Sequence, residues 1–262
     1  MRHALAAVIL ACGLAATAHA DVTIRQTTTG KGLGMSGTTS GVTYIKGNKM
    51  RTDSVMRGTT MSMIFDLDTQ KLYSFDSKKK QAEVWDMAAF AEELGKSIDA
   101  SGTVASFKAN GQKKDVAGKS ADGYDMQIST KAGMGGNQEM MMTITLEGPV
   151  WMVKGAPGAT EYANFYKAAV EKGWIFSDPR GAKAQPGQAK AMAQMYREVA
   201  AAGGIAYQTD MNIKMSGEGP MAGLMGRMGN MSMATVVDSI ETGALSDDLF
   251  VVPAGYKVTE RK

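Results

Sequence analysis

The clearest structural signal in the sequence runs from Ile205 to Met215 and reads IAYQTDMNIKM. Large, mostly apolar side chains alternate with small or polar ones along it. One side of the alternation carries Ile205, Tyr207, Thr209, Met211, Ile213 and Met215, and the other carries Ala206, Gln208, Asp210, Asn212 and Lys214. A period of two predicts a β-strand with one buried and one solvated face, as in an antiparallel sheet.

The same alternation recurs along the chain. Its further instances are Met61, Met63 and Phe65; Tyr124, Met126 and Ile128; Met140, Met142, Ile144 and Leu146; and Met231, Met233 and Val237. Two-residue hairpin turns are predicted at Gly47-Asn48, Asn110-Gly111 and Asp122-Gly123. Polar loops at 66–69 and 77–79 complete a predicted meander of about five short strands between Val42 and Trp85.

Three segments change to helical spacing. Their apolar stripes are Met87, Phe90, Ala91 and Leu94; Tyr162, Phe165, Tyr166 and Ala169; and Met192, Met195, Tyr196 and Val199. Asp86 is the predicted N-cap of the first helix, Gly173 ends the second and Gly203-Gly204 ends the third. Residues 177–188 are predicted to be a loop. Residues 21–262 therefore read as a single α+β domain, mainly antiparallel β.

Residues 1–20 have the pattern of a cleavable secretory signal peptide. Arg2 precedes an uncharged, largely apolar run from Ala4 to Thr17, which is too short to cross a bilayer as a helix, and Ala18-His19-Ala20 follows. We expect cleavage after Ala20 and a location in the periplasm or outside the cell. A lipoprotein signal with Cys12 as the lipidated residue is the alternative. After residue 20 no apolar run approaches the length of a transmembrane helix.

Composition excludes several classes of chemistry. The two His and the single Cys of the chain are His3, His19 and Cys12, all within the expected signal peptide. The mature chain therefore cannot carry a Ser-His-Asp triad, a Cys nucleophile or a typical zinc site, and we expect no cofactor and no enzymatic activity. The formal net charge of +3 at pH 7 is too small to predict nucleic-acid binding.

Three short motifs match chemical signatures only in part. Ser77-Lys78-Lys79-Lys80 fits S-x-x-K without the accompanying K-T-G. Asp66 and Asp68 lack the glycine and the closing glutamate of a calcium loop. Gly30-Lys31-Gly32-Leu33-Gly34 is similar to a phosphate-binding loop, but no G-K-[ST] follows and no helix begins there. We interpret the first two as turns, and we expect no metal site.

Methionine is over-represented, with 22 residues among 262. One explanation is that Met fills an irregular core, because its side chain is flexible and apolar. A second is an adaptable surface for apolar ligands, and a third is Cu(I) coordination by thioethers outside the cytoplasm. On a strand, Met140 and Met142 share a face with Ile144 and Leu146, and no His accompanies them, which disfavours copper.

Two parts of the chain resemble a known group of secreted bacterial proteins. The first part reads YIKGNKMRTD at 44–53, IFD at 64–66, LYSFD at 72–76 and KQA at 80–82. The second reads SI at 239–240, LSDDLF at 245–250 and VPAGYK at 252–257. Both are similar to an uncharacterised secreted family related to the periplasmic outer-membrane lipoprotein carrier (Lol-type) proteins.

The resemblance implies an unclosed, half β-barrel with about three helices on or near its concave face. It implies carriage of lipoprotein acyl chains or other lipids, and no catalytic residues. Arg51 is considered as an acyl-gating residue, with a charged residue on the solvated face of a strand as the alternative.

These observations predict a non-catalytic extracytoplasmic binding protein for a lipid, an acyl chain or another apolar ligand. A cell-envelope structural or interaction module without a small ligand is one alternative, and a Met-rich Cu(I)-binding protein is another. The expected ligand-binding residues, which should face one interior, are Met61, Met63, Phe65, Met126, Met140, Met142, Met211, Met215, Met231 and Met233.

A mobile flap over the mouth of the barrel is expected between residues 216 and 230. Its apolar stripe consists of Met221, Leu224, Met225 and Met228. A plain disordered hairpin loop is the alternative. The expected partner is a lipid or a lipidated protein, and the sequence leaves the oligomeric state open.

Overall fold

Twelve strands and three helices longer than one turn make up the described part of the chain. The computed structural model describes residues 20–32, 37–97, 104–134, 137–174, 186–217, 222–223 and 231–261, with side chains except at 93–97, 132–134, 137–141 and 186–191. The strands are β1 (Val22–Lys31), β2 (Gly37–Lys46), β3 (Lys49–Met56), β4 (Thr59–Asp66), β5 (Lys71–Asp76), β6 (Gln81–Asp86), β7 (Val104–Val116), β8 (Lys119–Met134), β9 (Asn137–Val153), β10 (Ile205–Gly217), β11 (Met231–Thr242) and β12 (Lys257–Arg261). The helices are α1 (Met87–Ser97), α2 (Ala159–Glu171) and α3 (Pro186–Ala202).

All twelve strands belong to one open sheet. Its order is β12-β6-β5-β4-β3-β2-β1-β11-β10-β9-β8-β7. Every pairing is antiparallel except that of β12 with β6. The pairing of β1 with β11 joins the N-terminal meander to the later strands. The predicted fold class, α+β with a mainly antiparallel and unclosed sheet, is confirmed.

The alternating segment from Ile205 to Met215 forms most of β10. Ile205, Tyr207 and Met211 are buried on it, as the alternation predicts. A bulge between Ala206 and Gln208 interrupts the pairing with β9. The predicted meander is confirmed as β2 to β6, and the predicted turn at Gly47-Asn48 joins β2 to β3.

The hairpin predicted at Asn110-Gly111 is wrong. These residues lie inside β7, where Gly111 has a φ of 74° and the register with β8 shifts between Ala109 and Lys113. The dipeptide therefore forms a bulge, which uses the same left-handed glycine conformation as a hairpin turn. The turn that joins β7 to β8 lies instead at Ala117-Gly118.

The hairpin predicted at Asp122-Gly123 is also wrong, because both residues lie inside β8. A Cβ atom at position 123 would lie 2.5 Å from Asn110 Oδ1 and 3.1 Å from Trp151 Cζ3. Glycine is therefore required here by the close approach of neighbouring strands rather than by a turn.

The three predicted helices are confirmed. Asp86 Oδ1 accepts a hydrogen bond from Ala89 N–H at 3.0 Å at the start of α1, and Gly173, with a φ of 73°, follows the end of α2. α3 begins at Pro186, so residues 186–188 are helical and not part of the predicted loop. Proline suits the first turn of a helix because it has no N–H to satisfy. Residues 177–185 lie outside the described residues.

All three helices pack on one face of the sheet, here called the helix-bearing face. A cross-strand row on it consists of Met50, Phe65, Leu72 and Trp85. Phe90 of α1 meets Trp85 edge-on at 6.4 Å, and Phe165 of α2 belongs to the same buried cluster. Met195 of α3 packs with Met211 and its neighbours in a second cluster. The core therefore lies between this face and the helices.

The opposite face of β3–β6 is covered by the C-terminal segment. Phe250, in a 3-10 helix (Asp247–Phe250), is buried against Ile64, Phe75 and Ala82. The ring of Tyr256 meets that of Phe75 edge-on at 5.5 Å. Both faces of this part of the sheet are therefore packed.

Candidate functional site

One end of the helix-bearing face carries small side chains where β1, β2, β10 and β11 lie side by side. One cross-strand row consists of Thr39, Thr28, Thr235 and Thr209, and the next consists of Gly37, Gly30, Met233 and Met211. The hydroxyl oxygens of Thr28 and Thr235 share a hydrogen bond at 2.9 Å. Because threonine and glycine occupy little volume, the sheet has a depression here between larger neighbours.

The depression forms a cavity of about 310 Å³. Its floor consists of Thr28, Gly30, Gly37 and Thr39, and its apolar walls of Met56, Ile213, Met231 and Met233. Lys31, Thr38, Arg57 and Ser232 complete the described lining. A concave site of this volume with mainly apolar walls is of the kind that binds small molecules.

The apolar walls differ in exposure. Met231 is buried and Ile213 is half-buried, whereas Met56 is 59% exposed and Met233 is 37% exposed. Ile213 on β10 and Met231 at the start of β11 are cross-strand partners, so they form one continuous wall. The two exposed methionines offer apolar area that a ligand can remove from water.

Arg57 lies at the mouth of the cavity in the turn that joins β3 to β4. Its φ is 49°, and that of Gly58 is 75°. Two central residues with positive φ are typical of a type I′ hairpin turn, in which Asn-Gly or Asp-Gly is the usual sequence. Arg57 and Lys31 are exposed, and neither makes an ion pair with a described residue.

The predicted ligand-binding residues with described side chains lie on the helix-bearing face by register, but in different surroundings. Those that line the cavity are Met231 and Met233. Those that pack in the core with the helices are Met63, Phe65, Met126 and Met211. Those that lie elsewhere on the face are Met61, which is exposed, and Met142 and Met215, which are half-buried. Four of these nine residues therefore contribute to packing with the helices, and two line the cavity.

Several predicted residues fall outside the described part. The backbone of Met140 lies on β9, but its side chain is not among the described ones. The four predicted flap residues, Met221, Leu224, Met225 and Met228, also lie outside the described residues.

Arg51, considered as a gating residue, lies on the face of the sheet opposite the cavity. It shares a cross-strand row with Ile64 and Tyr73, one position out of phase with Met50 and Phe65. A ligand held on the helix-bearing face therefore cannot contact its guanidinium group.

The lining residues that the sequence did not indicate as a site are Thr28, Gly30, Lys31, Gly37, Thr38, Thr39, Met56, Arg57, Ile213 and Ser232. Threonine and glycine give no local signal of a site, and the depression exists only because three strands bring them together. Gly30 and Lys31 belong to the glycine-rich motif that was set aside as a phosphate loop, and they end β1 at the cavity. That motif could have drawn attention to this end of the sheet.

The two partial motifs with charged residues are turns. Asp66 Oδ1 accepts hydrogen bonds from the N–H groups of Asp68 at 3.0 Å and Thr69 at 3.1 Å. Asp76 Oδ1 accepts from Lys78 and Lys79 in the same way, and these bonds lower the pKa of Asp76. Their carboxylates cap backbone groups, as in Asx turns.

A smaller cavity of about 170 Å³ lies between β7, β8 and the turn after β9. Asp122 forms ion pairs there with Lys154 at 3.2 Å and Lys113 at 3.6 Å. Hydrogen bonding to Lys154 lowers the pKa of Asp122 and raises that of Lys154. These charges satisfy one another, so the cavity is a surface ion-pair network.

Within the described residues, no group of three or more His, Cys, Asp and Glu side chains is placed to hold a metal ion. In the same part of the chain, no helix has both the length and the apolar character needed to cross a membrane.

Comparisons with known proteins do not show a family. No protein-family model matches the sequence, and no curated protein matches it. A solved structure of PNGF-II is similar to 92% of this chain, with a TM-score of 0.38 and 11% identity. The chain spans 31% of the length of that protein.

Proposed function

We propose that this protein is a non-catalytic extracytoplasmic binding protein for a lipid, an acyl chain or another apolar ligand. The observation that carries the proposal is the cavity with walls of Met56, Ile213, Met231 and Met233 over a floor of threonine and glycine. Methionine supplies flexible apolar surface that adapts to different ligands, and cavities with such lining bury most of the ligand's surface.

We also propose that the sheet curves as a half-barrel with its helix-bearing face inside. Strands twist relative to their neighbours, and strongly twisted sheets of more than about ten strands curl, split or flatten. The helices pack on this face and the cavity opens on it, so the helices and a ligand would occupy different parts of one concave surface.

Export is part of the proposal, with Asp21 as the first residue of the mature protein. Asp21 Oδ2 accepts a hydrogen bond from Leu245 N–H at 2.7 Å, and the Asp21 carbonyl accepts from Gly243 N–H at 3.0 Å. Cleavage after Ala20 would therefore leave an N-terminus anchored to the end of β11. Intact-mass measurement of the exported protein should show Asp21 at the N-terminus; retained Met1 or a lipid on Cys12 would contradict this.

The binding proposal is tested by calorimetric titration of the mature protein with dodecan-1-ol, a neutral single-chain probe. Thr39→Phe places a ring on the cavity floor, whereas Ser40→Phe places the same ring on the opposite face, one residue along the same strand. We expect Thr39→Phe to weaken binding by about tenfold or more, since a partly excluded chain loses buried apolar area. Ser40→Phe should leave the affinity unchanged.

Native mass spectrometry of the purified protein adds an independent measurement. A bound lipid or fatty acid that is lost in Thr39→Phe and kept in Ser40→Phe would support the proposal. Absence of binding in both experiments would contradict it and favour a structural or interaction module of the cell envelope.

A second candidate function is Cu(I) binding, because the thioethers of Met56, Met231 and Met233 line one cavity. Thioethers are soft ligands that select Cu(I). Competition with a Cu(I) chelator tests this candidate. A metal stoichiometry near one that disappears in the triple Met→Leu variant would favour copper, since leucine keeps the cavity apolar but removes the sulfur ligands.

A further inference from the structure

We infer that the ligand of the cavity is an anionic amphiphile, a single acyl or alkyl chain with a carboxylate or phosphate head group, and that Arg57 binds the head group. This inference rests on the proposed function and specifies its ligand class. It follows from where the charged and the apolar residues of the cavity lie.

The described lining of the cavity has charge of one sign. It includes Lys31 and Arg57, and none of its described residues is acidic. Lys31 also lines an adjacent depression, whose described lining includes Asp210. The Asp210 carboxylate accepts a hydrogen bond from Gln208 Nε2 at 2.7 Å. Among the described residues, none forms an ion pair with either cation. Arg57 can therefore take an anionic ligand group without displacing a salt bridge to any described residue.

The apolar and the charged residues of the lining lie in different places. The apolar wall includes the half-buried Ile213 and the buried Met231, whereas Arg57 is exposed in the turn that joins β3 to β4. Lys31 lies one position out of phase with Gly30, so its side chain belongs to the opposite face of the sheet. A purely apolar ligand would leave Arg57 without a partner, and a fully polar one would leave the apolar wall uncovered. An amphiphile satisfies both regions, because its chain lies against the wall and its head group accepts hydrogen bonds from the guanidinium group.

The size of the cavity favours one chain over several. Its volume of about 310 Å³ lies at the lower end of the range for small-molecule sites.

The backbone conformation of Arg57 allows a substitution that removes the charge and keeps the turn. Gln70, Lys80 and Ala117 also adopt positive φ, so this conformation alone does not indicate function. Asn-Gly is the preferred sequence of a type I′ turn, and Arg57→Asn therefore removes the charge while it keeps or improves the turn. Arg57→Lys keeps the charge, and Lys108→Asn removes an exposed charge from β7, away from the cavity.

The experiment compares dodecanoate, dodecyl phosphate and dodecan-1-ol, each titrated below its micelle concentration into the mature protein and its variants. We expect the two anions to bind the wild type more tightly than the alcohol. Arg57→Asn should weaken the anions by about tenfold and the alcohol by less than about twofold, since a hydrogen bond to a charged group is lost only for the anions. Arg57→Lys should recover part of the difference, and Lys108→Asn should change nothing.

A spectroscopic measurement distinguishes charge recognition from a structural effect. The carbon signal of dodecanoate labelled with ¹³C at its carboxyl reports the pKa of the bound head group. A neighbouring guanidinium group lowers that pKa, so it should be lower in the wild type than in Arg57→Asn.

Experiments with lipid vesicles distinguish a membrane lipid from a free fatty acid as the source of the anionic head group. Extraction of lipid from phosphatidylglycerol vesicles, but not from phosphatidylcholine vesicles, would assign the head group to a membrane lipid. Binding of free dodecanoate without extraction from either vesicle would assign it to a free fatty acid. Both results support the inference.

The inference would be overturned by equal affinity for dodecanoate and dodecan-1-ol together with no effect of Arg57→Asn. The proposed function would stand in that case, because the apolar chain would still bind. If none of the three probes binds the wild type, the proposed function and the inference fail together.

Discussion

Arg51 donates a hydrogen bond from Nη1 to the backbone carbonyl of Leu249, at a distance of 2.9 Å. Its Nε also donates to Asp53 Oδ1 at 2.8 Å, and its guanidinium carbon lies 5.5 Å from the centre of the Phe75 ring. Both side chains of the ion pair are only 15% exposed. An arginine on the face opposite the cavity thus holds the C-terminal segment against β3 and β5.

Arg51→Met should lower the free energy of unfolding by about 2 kcal/mol or more. The variant keeps an apolar stem but leaves the largely buried carboxylate of Asp53 and the Leu249 carbonyl without their donor. Urea denaturation measures the change. Arg25→Met is the control, because its pair with Glu241 is exposed and long at 3.7 Å and should be worth less than about 0.5 kcal/mol. Equal effects of the two variants would contradict the role of Arg51.

Gly148→Ala should destabilise the pairing of β9 with β10. A Cβ atom at position 148 would lie 1.9 Å from the backbone oxygen of Asp210, and a backbone atom cannot move aside as a flexible side chain can. We expect a loss of about 2–3 kcal/mol in urea denaturation, as for other overpacked sites. Gly243→Ala, where a Cβ atom meets nothing within 4 Å, should cost less than about 0.5 kcal/mol. A tolerated Gly148→Ala would show that the strands can separate without cost.

Three tyrosines on α2 and α3 should make the free energy of unfolding fall at alkaline pH. The ring centroids of Tyr166 and Tyr196 are 5.3 Å apart, those of Tyr162 and Tyr166 are 4.6 Å apart, and burial raises the pKa of all three tyrosines. In the unfolded chain a tyrosine ionises near pH 10, at about its ordinary value. Above that pH the unfolded state releases protons that the folded state retains.

The free energy of unfolding should therefore be independent of these groups below about pH 9 and fall above about pH 10. The slope is about 1.4 kcal/mol per pH unit for each tyrosine that stays neutral in the folded state. Urea denaturation at several alkaline pH values checks the fall, and Tyr166→Phe should make it shallower. If absorbance at 295 nm shows these tyrosines ionising near pH 10 while the protein stays folded, the prediction is wrong.

The elements of this fold could be predicted because their signals are local. The alternation at 205–215 is contained in one strand, and the cap of Asp86 acts on residues three positions away. The failed hairpins show the limit of local signals. Gly123 is required by Asn110 and Trp151 on the two neighbouring strands, and no short window of sequence around position 123 contains those contacts.

The cavity could not be predicted because it depends on how β2, β1 and β11 pair with one another in the sheet. Its floor joins Thr39 on β2 to Thr28 on β1, and the same row continues to Thr235 on β11. The pairing of β1 with β11 connects residues that are far apart in the sequence. The alternation correctly predicts that Met231 and Met233 lie on the helix-bearing face. It does not show whether a methionine on that face lines the cavity or packs beneath a helix.

The methionines themselves provide a test of that distinction. Met211 is buried among Phe107, Tyr124 and Met195, beneath α3. Met233 is its cross-strand partner and is 37% exposed at the wall of the cavity. If methionine serves packing at the first position and ligand binding at the second, truncation of the two side chains must affect different properties.

Met211→Ala should lower the free energy of unfolding by about 2–4 kcal/mol, because it removes buried atoms and leaves a cavity beneath α3. Met233→Ala should change it by less than about 1 kcal/mol, since the side chain is partly in water already. In a titration with dodecan-1-ol, Met233→Ala should weaken binding by about threefold to tenfold, in proportion to the apolar area it no longer offers the ligand. Met211→Ala should leave the affinity within about twofold, measured at a temperature where it is fully folded. Loss of stability without loss of affinity in Met233→Ala would mean that this methionine, too, only packs the sheet.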